Sequence, residues 1–199
     1  MYRYDTDMYK IYSSPEFLEA SGKQHVQNAP QAFIDVDVEA DGIAGYGSLL
    51  SIGAVSPWGE VFYTEIRPIS DEYIPENKSF CELHGLERQQ LLDTGQDPQK
   101  ALIAFTDWTQ AIVTKYTKQA PVLTAYNASF DFPLIDAYYK QFGLENPYGH
   151  AAFCIKSLAL AITGHLAWDW KQTGKGRLPA SLWEHIVIDQ PYNRDSRAQ

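Results

Sequence analysis

Apolar and acidic side chains alternate between residues 33 and 42, which is the clearest pattern in the chain. Residues two apart in a β-strand lie on the same face of the sheet, so the alternation predicts a strand with one apolar and one acidic face. Like charges at this spacing destabilise each other by roughly a few tenths of a kcal/mol. The acidic face indicates either a divalent metal site or a solvated surface strand. Its four acids are Asp35, Asp37, Glu39 and Asp41.

Two more strands are predicted directly after the first. Residues 48–55 form an apolar run that is short enough for a buried strand, and residues 61–67 alternate again. The sequence Ser-Pro-Trp-Gly at residues 56–59 is typical of a turn between them. Because short turns join antiparallel neighbours, we expect these three strands to form an antiparallel meander.

Helical periodicity dominates the middle of the chain. Residues 79–92 predict two short helices that are separated by a break at Gly85. Asp97 and Pro98 are typical of a helix N-terminus, and the apolar residues that follow recur every three or four positions, which predicts the strongest helix. Residues 121–126 predict one more buried strand.

The last third of the chain is predicted to be mainly helical. One helix follows the turn at residues 127–130 and ends at Gly143. Two others are predicted near residues 155–163 and at residues 179–185. The order of elements predicts an α/β fold, with a mixed sheet of a three-strand antiparallel meander plus further strands, flanked by helices.

Composition limits the class of protein. With 199 residues, 45% of them hydrophobic, the chain suits one globular domain, residues 31–199, with a polar N-terminal extension, residues 1–30. The net charge of −9 argues against a broad basic face for nucleic acid, although bound metal ions would reverse the field locally. The net charge therefore argues against a nucleic-acid-binding module more strongly than against an enzyme.

Cys81 and Cys154 lie far apart without neighbours at zinc-site spacing, so neither a disulfide framework nor a structural zinc is expected. No apolar run approaches the roughly 20 residues of a membrane span, and the N-terminus lacks the order of a signal peptide. We therefore expect a cytoplasmic protein without a membrane partner. The oligomeric state stays open, and a homodimer is compatible with the sequence.

Three of the acids are candidate ligands of a metal site. Asp37 and Glu39 lie two apart on one strand and can direct their oxygens to one point, which suits Mg²⁺ or Mn²⁺. Asp131 follows a buried strand at the beginning of a helix, where the carboxyl end of that strand should open near the other two. The alternative for Asp131 is an ordinary first-turn acid favoured by the helix macrodipole.

Four short motifs follow one another along the chain: Asp37-x-Glu39-x-x-Gly42, residues 48–55, Leu83-His84-Gly85-Leu86 and Tyr126-Asn127-Ala128-Ser129-Phe130-Asp131. Together they resemble the DEDD superfamily of 3′-to-5′ exonucleases, and the chain looks most similar to the ribonuclease T and proofreading-exonuclease branch. The resemblance implies a ribonuclease H-like fold and two divalent ions, Mg²⁺ or Mn²⁺, held by four carboxylates. It also implies hydrolysis of the terminal phosphodiester of a single-stranded DNA or RNA 3′ end.

Carried over by motif, three catalytic metal ligands are Asp37, Glu39 and Asp131. The motif gives the other two acids of the first strand no ligand role. Asp35 is expected to face solvent or a cation, and Asp41 to belong to the turn at the following glycine.

The third motif departs from the histidine branch of the family, which has a His five residues before an Asp. In one register Asp195 is the fourth metal ligand, and Gln190, which cannot accept a proton at neutral pH, occupies the position of the general base. In the other register His185 is the base, Gln190 occupies the ligand position and Asp189 stands one residue early. We adopt Asp195 as the ligand and keep His185 as the candidate base.

Further residues are candidates for substrate binding. Leu49, Leu50 and His84 resemble positions that wall the pocket of the terminal nucleotide, and Asn127 is expected to orient the loop before the helix. The alternative is that the leucines belong to the core and the histidine to a helix-breaking turn. A basic loop offers stacking and phosphate contacts, or is simply mobile, and contains Trp168, Trp170, Lys171, Lys175 and Arg177.

The leading hypothesis is therefore a metal-dependent 3′-to-5′ exonuclease for single-stranded nucleic acid. The atypical third motif supports an alternative, a catalytically impaired nuclease-like domain that binds nucleic acid or protein. A phosphatase or another phosphoester hydrolase that uses the same ions is a third hypothesis.

Overall fold

The computed structural model describes residues 32–158. The predicted division into residues 1–30 and 31–199 stays a prediction, since the extension and everything after residue 158 lie outside the described part. The helix and loop predicted at residues 164–185 lie outside it as well.

The described chain contains one five-stranded mixed sheet. Its strands are β1 (Phe33–Ala40), β2 (Leu49–Val55), β3 (Val61–Glu65), β4 (Val122–Ala125) and β5 (Ala152–Cys154). They lie in the order β3-β2-β1-β4-β5. The first three strands pair antiparallel, whereas β4 and β5 run parallel to β1. The predicted antiparallel meander is therefore confirmed.

Strand β5 was not predicted. It spans only three residues, which is too short for an alternating pattern to stand out from the sequence around it. The helix predicted after it does begin within the described residues, because residues 155–158 are helical.

Four complete helices are described between the strands. Short helices flank the break at Gly85 as predicted, although the first begins before residue 79. The predicted cap of the longest helix is confirmed, since the Asp97 side chain accepts a hydrogen bond from the Lys100 backbone N–H at 3.2 Å. The helices are α1 (Pro75–Leu83), α2 (Arg88–Thr94), α3 (Pro98–Tyr116) and α4 (Ala128–Gln141).

The main core lies between the apolar face of β1 and the helices α3 and α4. The predicted inward residues of the strand are all buried, at no more than 4% exposure. Helix α4 adds Leu134, Ile135 and Tyr139 to this core, and α3 adds Leu102 and Phe105. The inward residues of the strand are Ile34, Val36, Val38 and Ala40.

A β-bulge interrupts the pairing of β1 with β2. Glu39 pairs with Ser51, but the next residue, Ala40, pairs with Leu49, so Leu50 is an extra residue in β2. Its side chain consequently leaves the main core, to which Leu49 belongs, and joins a second cluster formed with α1 and α2. That cluster consists of Leu50, Cys81, Leu86 and Leu91.

Candidate active site

The carboxylate of Asp131 lies against β1. Its Oδ1 accepts a hydrogen bond of 3.1 Å from the backbone N–H of Val38, the residue between Asp37 and Glu39. Strand β4 pairs with β1 only as far as Asp35, so the edge of β1 beyond that residue is open to a side chain from the first turn of α4. The structure thus brings the acid predicted from the helix to the backbone between the two acids predicted from the strand.

Asp37 and Glu39 are half-buried on the face of β1 that is opposite to the main core. Their cross-strand partners on β2 are Gly53 and Ser51. A glycine and a serine leave more room beside two carboxylates than the large apolar residues of a typical buried strand. Gly53 and Ser51 were not singled out in the sequence, where they are hidden in a continuous apolar run.

Carboxyl groups in this region are strongly perturbed. Burial, with smaller contributions from the nearby carboxylates of Asp35 and Glu39, raises the pKa of Asp131 to about 7, although the Val38 N–H opposes the shift. Burial likewise raises the pKa of Asp35 to about 7, with a contribution from Asp37. The charged neighbours that act on Asp131 are themselves negative, which leaves the group in need of a cation.

Asp35 corrects one expectation. It was expected to face solvent or a cation; solvent is wrong, because the residue is only 8% exposed, and the cation stays a prediction. The Thr124 side chain on β4, whose hydroxyl donates to the Ile34 carbonyl oxygen at 3.1 Å, partly opposes the rise in the pKa of Asp35. The sequence indicated only that Asp35 lies on the same face of the strand as Asp37 and Glu39. Its burial depends on what packs over that face, which the alternation does not reveal.

Asp41 lies just beyond the end of β1. It begins the turn, as predicted, but its side chain is fully buried and forms an ion pair with Arg88 of α2. Its Oδ1 also accepts the Ser48 backbone N–H at 2.6 Å. The turn needs glycine next, since a Cβ on Gly42 would lie 2.0 Å from the carbonyl oxygen of Tyr46.

The described donors fit a hard divalent cation in kind, since they are carboxylates that raise one another's pKa. Within residues 32–158, no three His, Cys, Asp or Glu side chains form a group that could hold a metal ion by themselves. The candidates for the third motif, Asp195, Asp189 and His185, all lie outside the described residues.

Comparison with known proteins identifies the family. The chain is 35% identical over 141 residues to the 3′-5′ DNA exonuclease Cap18 of Escherichia coli, a match that spans 69% of this chain and 72% of the relative. The chain belongs to the DEDD superfamily of 3′-to-5′ exonucleases. No family model matches it.

A solved structure supports the fold of this exonuclease family. The nuclease domain of 3′hExo, a DEDDh family member solved with bound rAMP, superposes with a TM-score of 0.56 at 15% identity. The match covers 72% of this chain and 74% of that one. The predicted ribonuclease H-like fold is therefore confirmed. DEDD exonucleases generally use divalent metal ions, in agreement with the carboxylate chemistry described above.

The candidate substrate residues lie in different surroundings. Leu49 and Leu50 are both fully buried, one in the main core and the other in the second cluster. His84 caps α1 and packs edge to face against Phe80, with ring centroids 4.5 Å apart. Asn127 caps α4, where its Oδ1 accepts a hydrogen bond of 3.2 Å from the Ser129 hydroxyl. Their roles toward a nucleotide stay predictions.

No helix within the described residues is long and apolar enough to cross a membrane.

Proposed function

We propose that this chain is a metal-dependent exonuclease that removes nucleotides one at a time from the 3′ end of single-stranded DNA. The observation that carries the proposal is the hydrogen bond between Asp131 and the Val38 N–H. It brings a carboxylate from α4 to the point on β1 from which Asp37 and Glu39 project. The choice of DNA rests on the relative, which is named as a DNA exonuclease.

The proposed ligands are Asp37, Glu39, Asp131 and Asp195, for two ions of Mg²⁺ or Mn²⁺. When bound, such ions supply Lewis acidity that stabilises the attacking and leaving oxygens of phosphodiester hydrolysis. The protein's own contribution is to gather the carboxylates on a rigid sheet edge. The raised pKa of Asp131 supports this division of roles, because a buried carboxylate without a cation nearby is poised to gain from binding one.

The reaction requires a water molecule to attack the terminal phosphorus and to lose a proton, while the bond from phosphorus to the 3′ oxygen of the preceding nucleotide breaks. We assign the removal of the proton to His185, because histidine is the residue type whose ordinary pKa suits a general base near neutral pH. A nearby general base typically contributes about 10² to 10⁴-fold to rate. Replacement of His185 should therefore slow cleavage while leaving metal binding intact.

The terminal nucleotide is proposed to contact Leu49, Leu50, His84 and Asn127. The bulge supports a role for Leu50, because it turns this residue out of the main core and packs it with Cys81, whose thiol lies in the field of Glu39. His84 and Asn127 offer polar atoms at two helix ends. Leu49 has the weakest claim, since it belongs to the main core.

The test is cleavage of matched oligonucleotides. A single strand labelled at its 5′ end should shorten in steps of one nucleotide with Mg²⁺ or Mn²⁺, and a strand blocked at its 3′ hydroxyl should persist. RNA of the same sequence tests the choice of sugar. Asp131→Asn should abolish shortening, whereas Asp97→Asn, a change at an exposed acid, should not.

Three results would contradict the proposal. Absence of shortening with either ion would reject the activity, and saturable binding of the oligonucleotide without cleavage would instead favour the catalytically impaired binding domain. Internal cuts in a strand with a blocked 3′ end would show endonuclease activity and would reject the exonuclease.

A further inference from the structure

The backbone that follows Glu39 is held by α1 at three successive carbonyl groups. The Cys81 thiol donates to the Ala40 carbonyl oxygen at 3.4 Å, and the Ile74 backbone N–H donates to that of Asp41 at 2.7 Å. The Asn77 side-chain amide donates to the third carbonyl, that of Gly42, at 3.2 Å. This set of three bonds, the carbonyl clamp, begins one residue after the proposed ligand.

The side chain of Asp41 extends the carbonyl clamp to α2. Its Oδ2 accepts a hydrogen bond from Nη1 of Arg88, and its Oδ1 accepts the Ser48 N–H at 2.6 Å. The backbone N–H of Asp41 donates to the Ser48 carbonyl at 3.0 Å. One buried carboxylate thereby ties the end of β1 both to the residue before β2 and to the first residue of α2.

Arg88 has a second polar partner. Its Nη2 donates to the backbone carbonyl of Ser70, and the ring of Tyr73 lies 5.5 Å from the guanidinium carbon. The side chain is 9% exposed, so it is held almost entirely by protein contacts. A guanidinium is planar and donates in two directions, which lets it bridge two fixed acceptors, whereas a lysine ammonium cannot reproduce that geometry.

We propose that Arg88 is a positioning residue of the active site, which acts through Asp41 to fix the end of β1 and hence the carboxylate of Glu39. The inference rests on the proposed function for the role of Glu39. The path from Arg88 to Glu39 is short, because Glu39 directly precedes Ala40, the first residue of the carbonyl clamp. The Cys81 thiol, which donates to Ala40, has its pKa raised to about 12, chiefly by burial and then by Glu39 and Asp41.

The test compares Arg88→Lys with Arg67→Lys in the full-length chain. Arg67 forms an ion pair with Asp97 at 3.3 Å, but its side chain is 46% exposed, so it controls for loss of a guanidinium that holds no buried group. Three quantities are measured for each protein: kcat, KM for a single-stranded oligonucleotide, and the Kd for Mn²⁺ by calorimetry. Circular dichroism confirms that each variant is folded at the assay temperature.

Arg88→Lys should lower kcat and weaken Mn²⁺ binding by about 10- to 100-fold each, the usual effect of losing a residue that orients a metal ligand. KM should stay near the wild-type value, since the substrate's own contacts are intact. Arg67→Lys should match the wild type in all three measurements. A folded Arg88→Lys protein with unchanged kcat and unchanged Mn²⁺ affinity would overturn the inference.

Should Arg88→Lys fail to fold, Asn77→Ala decides the matter. This variant removes one bond of the carbonyl clamp and leaves the ion pair intact, so it should show the same fall in kcat and in Mn²⁺ affinity at a smaller size. Wild-type values in Asn77→Ala would overturn the inference.

The Mn²⁺ measurement also separates this inference from the proposed function. If the wild type binds Mn²⁺ but cleaves nothing, the exonuclease proposal fails, and the effect of Arg88→Lys on Mn²⁺ affinity still decides the positioning role. If the wild type neither cleaves nor binds Mn²⁺, both are rejected.

Discussion

Buried carboxylates at β1 have charged neighbours of opposite sign. Just beyond the end of the strand, Asp41 is fully buried and paired with Arg88, which opposes the rise that burial causes in the pKa of Asp41. Asp35, near the beginning of β1, and Asp131 of α4 are also buried, yet the charged groups that act on them are other carboxylates. The first arrangement resembles a structural joint, and the second has the charge pattern expected of the metal site proposed above.

The comparison shows why counting acids along a strand is not enough to define a metal site. A buried carboxylate with an internal cation is satisfied and contributes to folding, although the pair pays for desolvation. A buried carboxylate among other carboxylates costs stability until an external cation arrives. The direction in which stability changes when each acid is neutralised therefore distinguishes the two.

Asp131→Asn gives the largest expected effect and breaks the cation site. The amide keeps an oxygen for the Val38 N–H but cannot carry the charge, so exonuclease activity should fall by more than about 100-fold, beyond the loss for residues that merely orient a ligand. At about pH 8 and without metal, the variant should melt at a higher temperature than the wild type, since a buried charge has been removed. Oligonucleotide cleavage and calorimetry test the two parts, and a lower melting temperature would contradict the comparison.

Asp41→Asn tests the structural joint and should have the opposite effect on stability. It leaves the Arg88 guanidinium buried without its carboxylate, which typically costs about 3–5 kcal/mol. Asp97→Asn is the control, because asparagine caps a helix as well as aspartate and only an exposed ion pair is lost, at about 0–1 kcal/mol. Urea unfolding measures both, and equal losses in the two variants would refute the distinction.

The pH dependence of stability sharpens the comparison without mutation. The pKa of Asp35 and that of Asp131 are each raised from 3.8 to about 7, so the folded state binds these protons more tightly than the unfolded state. Their contribution is fully present below the unfolded value and is lost as pH rises through the folded value. The metal-free protein should therefore lose stability as pH rises from 3.8 to about 7, and Mn²⁺ should restore that stability. Melting temperatures with chelator and with Mn²⁺ test this, and a flat profile with chelator would contradict it.

Glu60 provides the smallest effect and a reference carboxylate outside both groups. Hydrogen bonds, chiefly from the Ser56 and Tyr116 hydroxyls, lower its pKa from 4.5 to about 2. Stability from this group is therefore present above 4.5 and lost as pH falls toward 2, the reverse of the site acids. Glu60→Gln should flatten acid unfolding slightly and leave the neutral range unchanged. A change in activity at neutral pH would show that this residue is not an independent reference.

Much of the fold followed from local patterns in the sequence. Alternation predicted β1, and a capping aspartate followed by proline predicted α3, because both signals reside in consecutive residues. The contact of Asp131 with the backbone of β1 agrees with the expectation that a helix beginning where a strand ends lies near the sheet edge. Strand β1 and the start of α3 are the cases in which neighbours in sequence determine geometry.

Other features depend on contacts between distant residues and leave no local signal. The burial of Asp35 depends on packing over the strand, and the pairing of Asp41 with Arg88 joins residues 47 positions apart. Strand β5 acquires its conformation from β4, since three residues have little preference of their own. The bulge at Leu50 was concealed because every residue of β2 is buried, so the change of face does not alter the apolar pattern.

That bulge also gives the two leucines separate packing constraints. Although Leu49 and Leu50 are consecutive and chemically identical, one packs with the helices α3 and α4 and the other with α1 and α2. A change in the volume of one can be compensated by its own helices without repacking the other layer. The packing of Leu50 beside the acids can therefore change without a change in the packing behind β1.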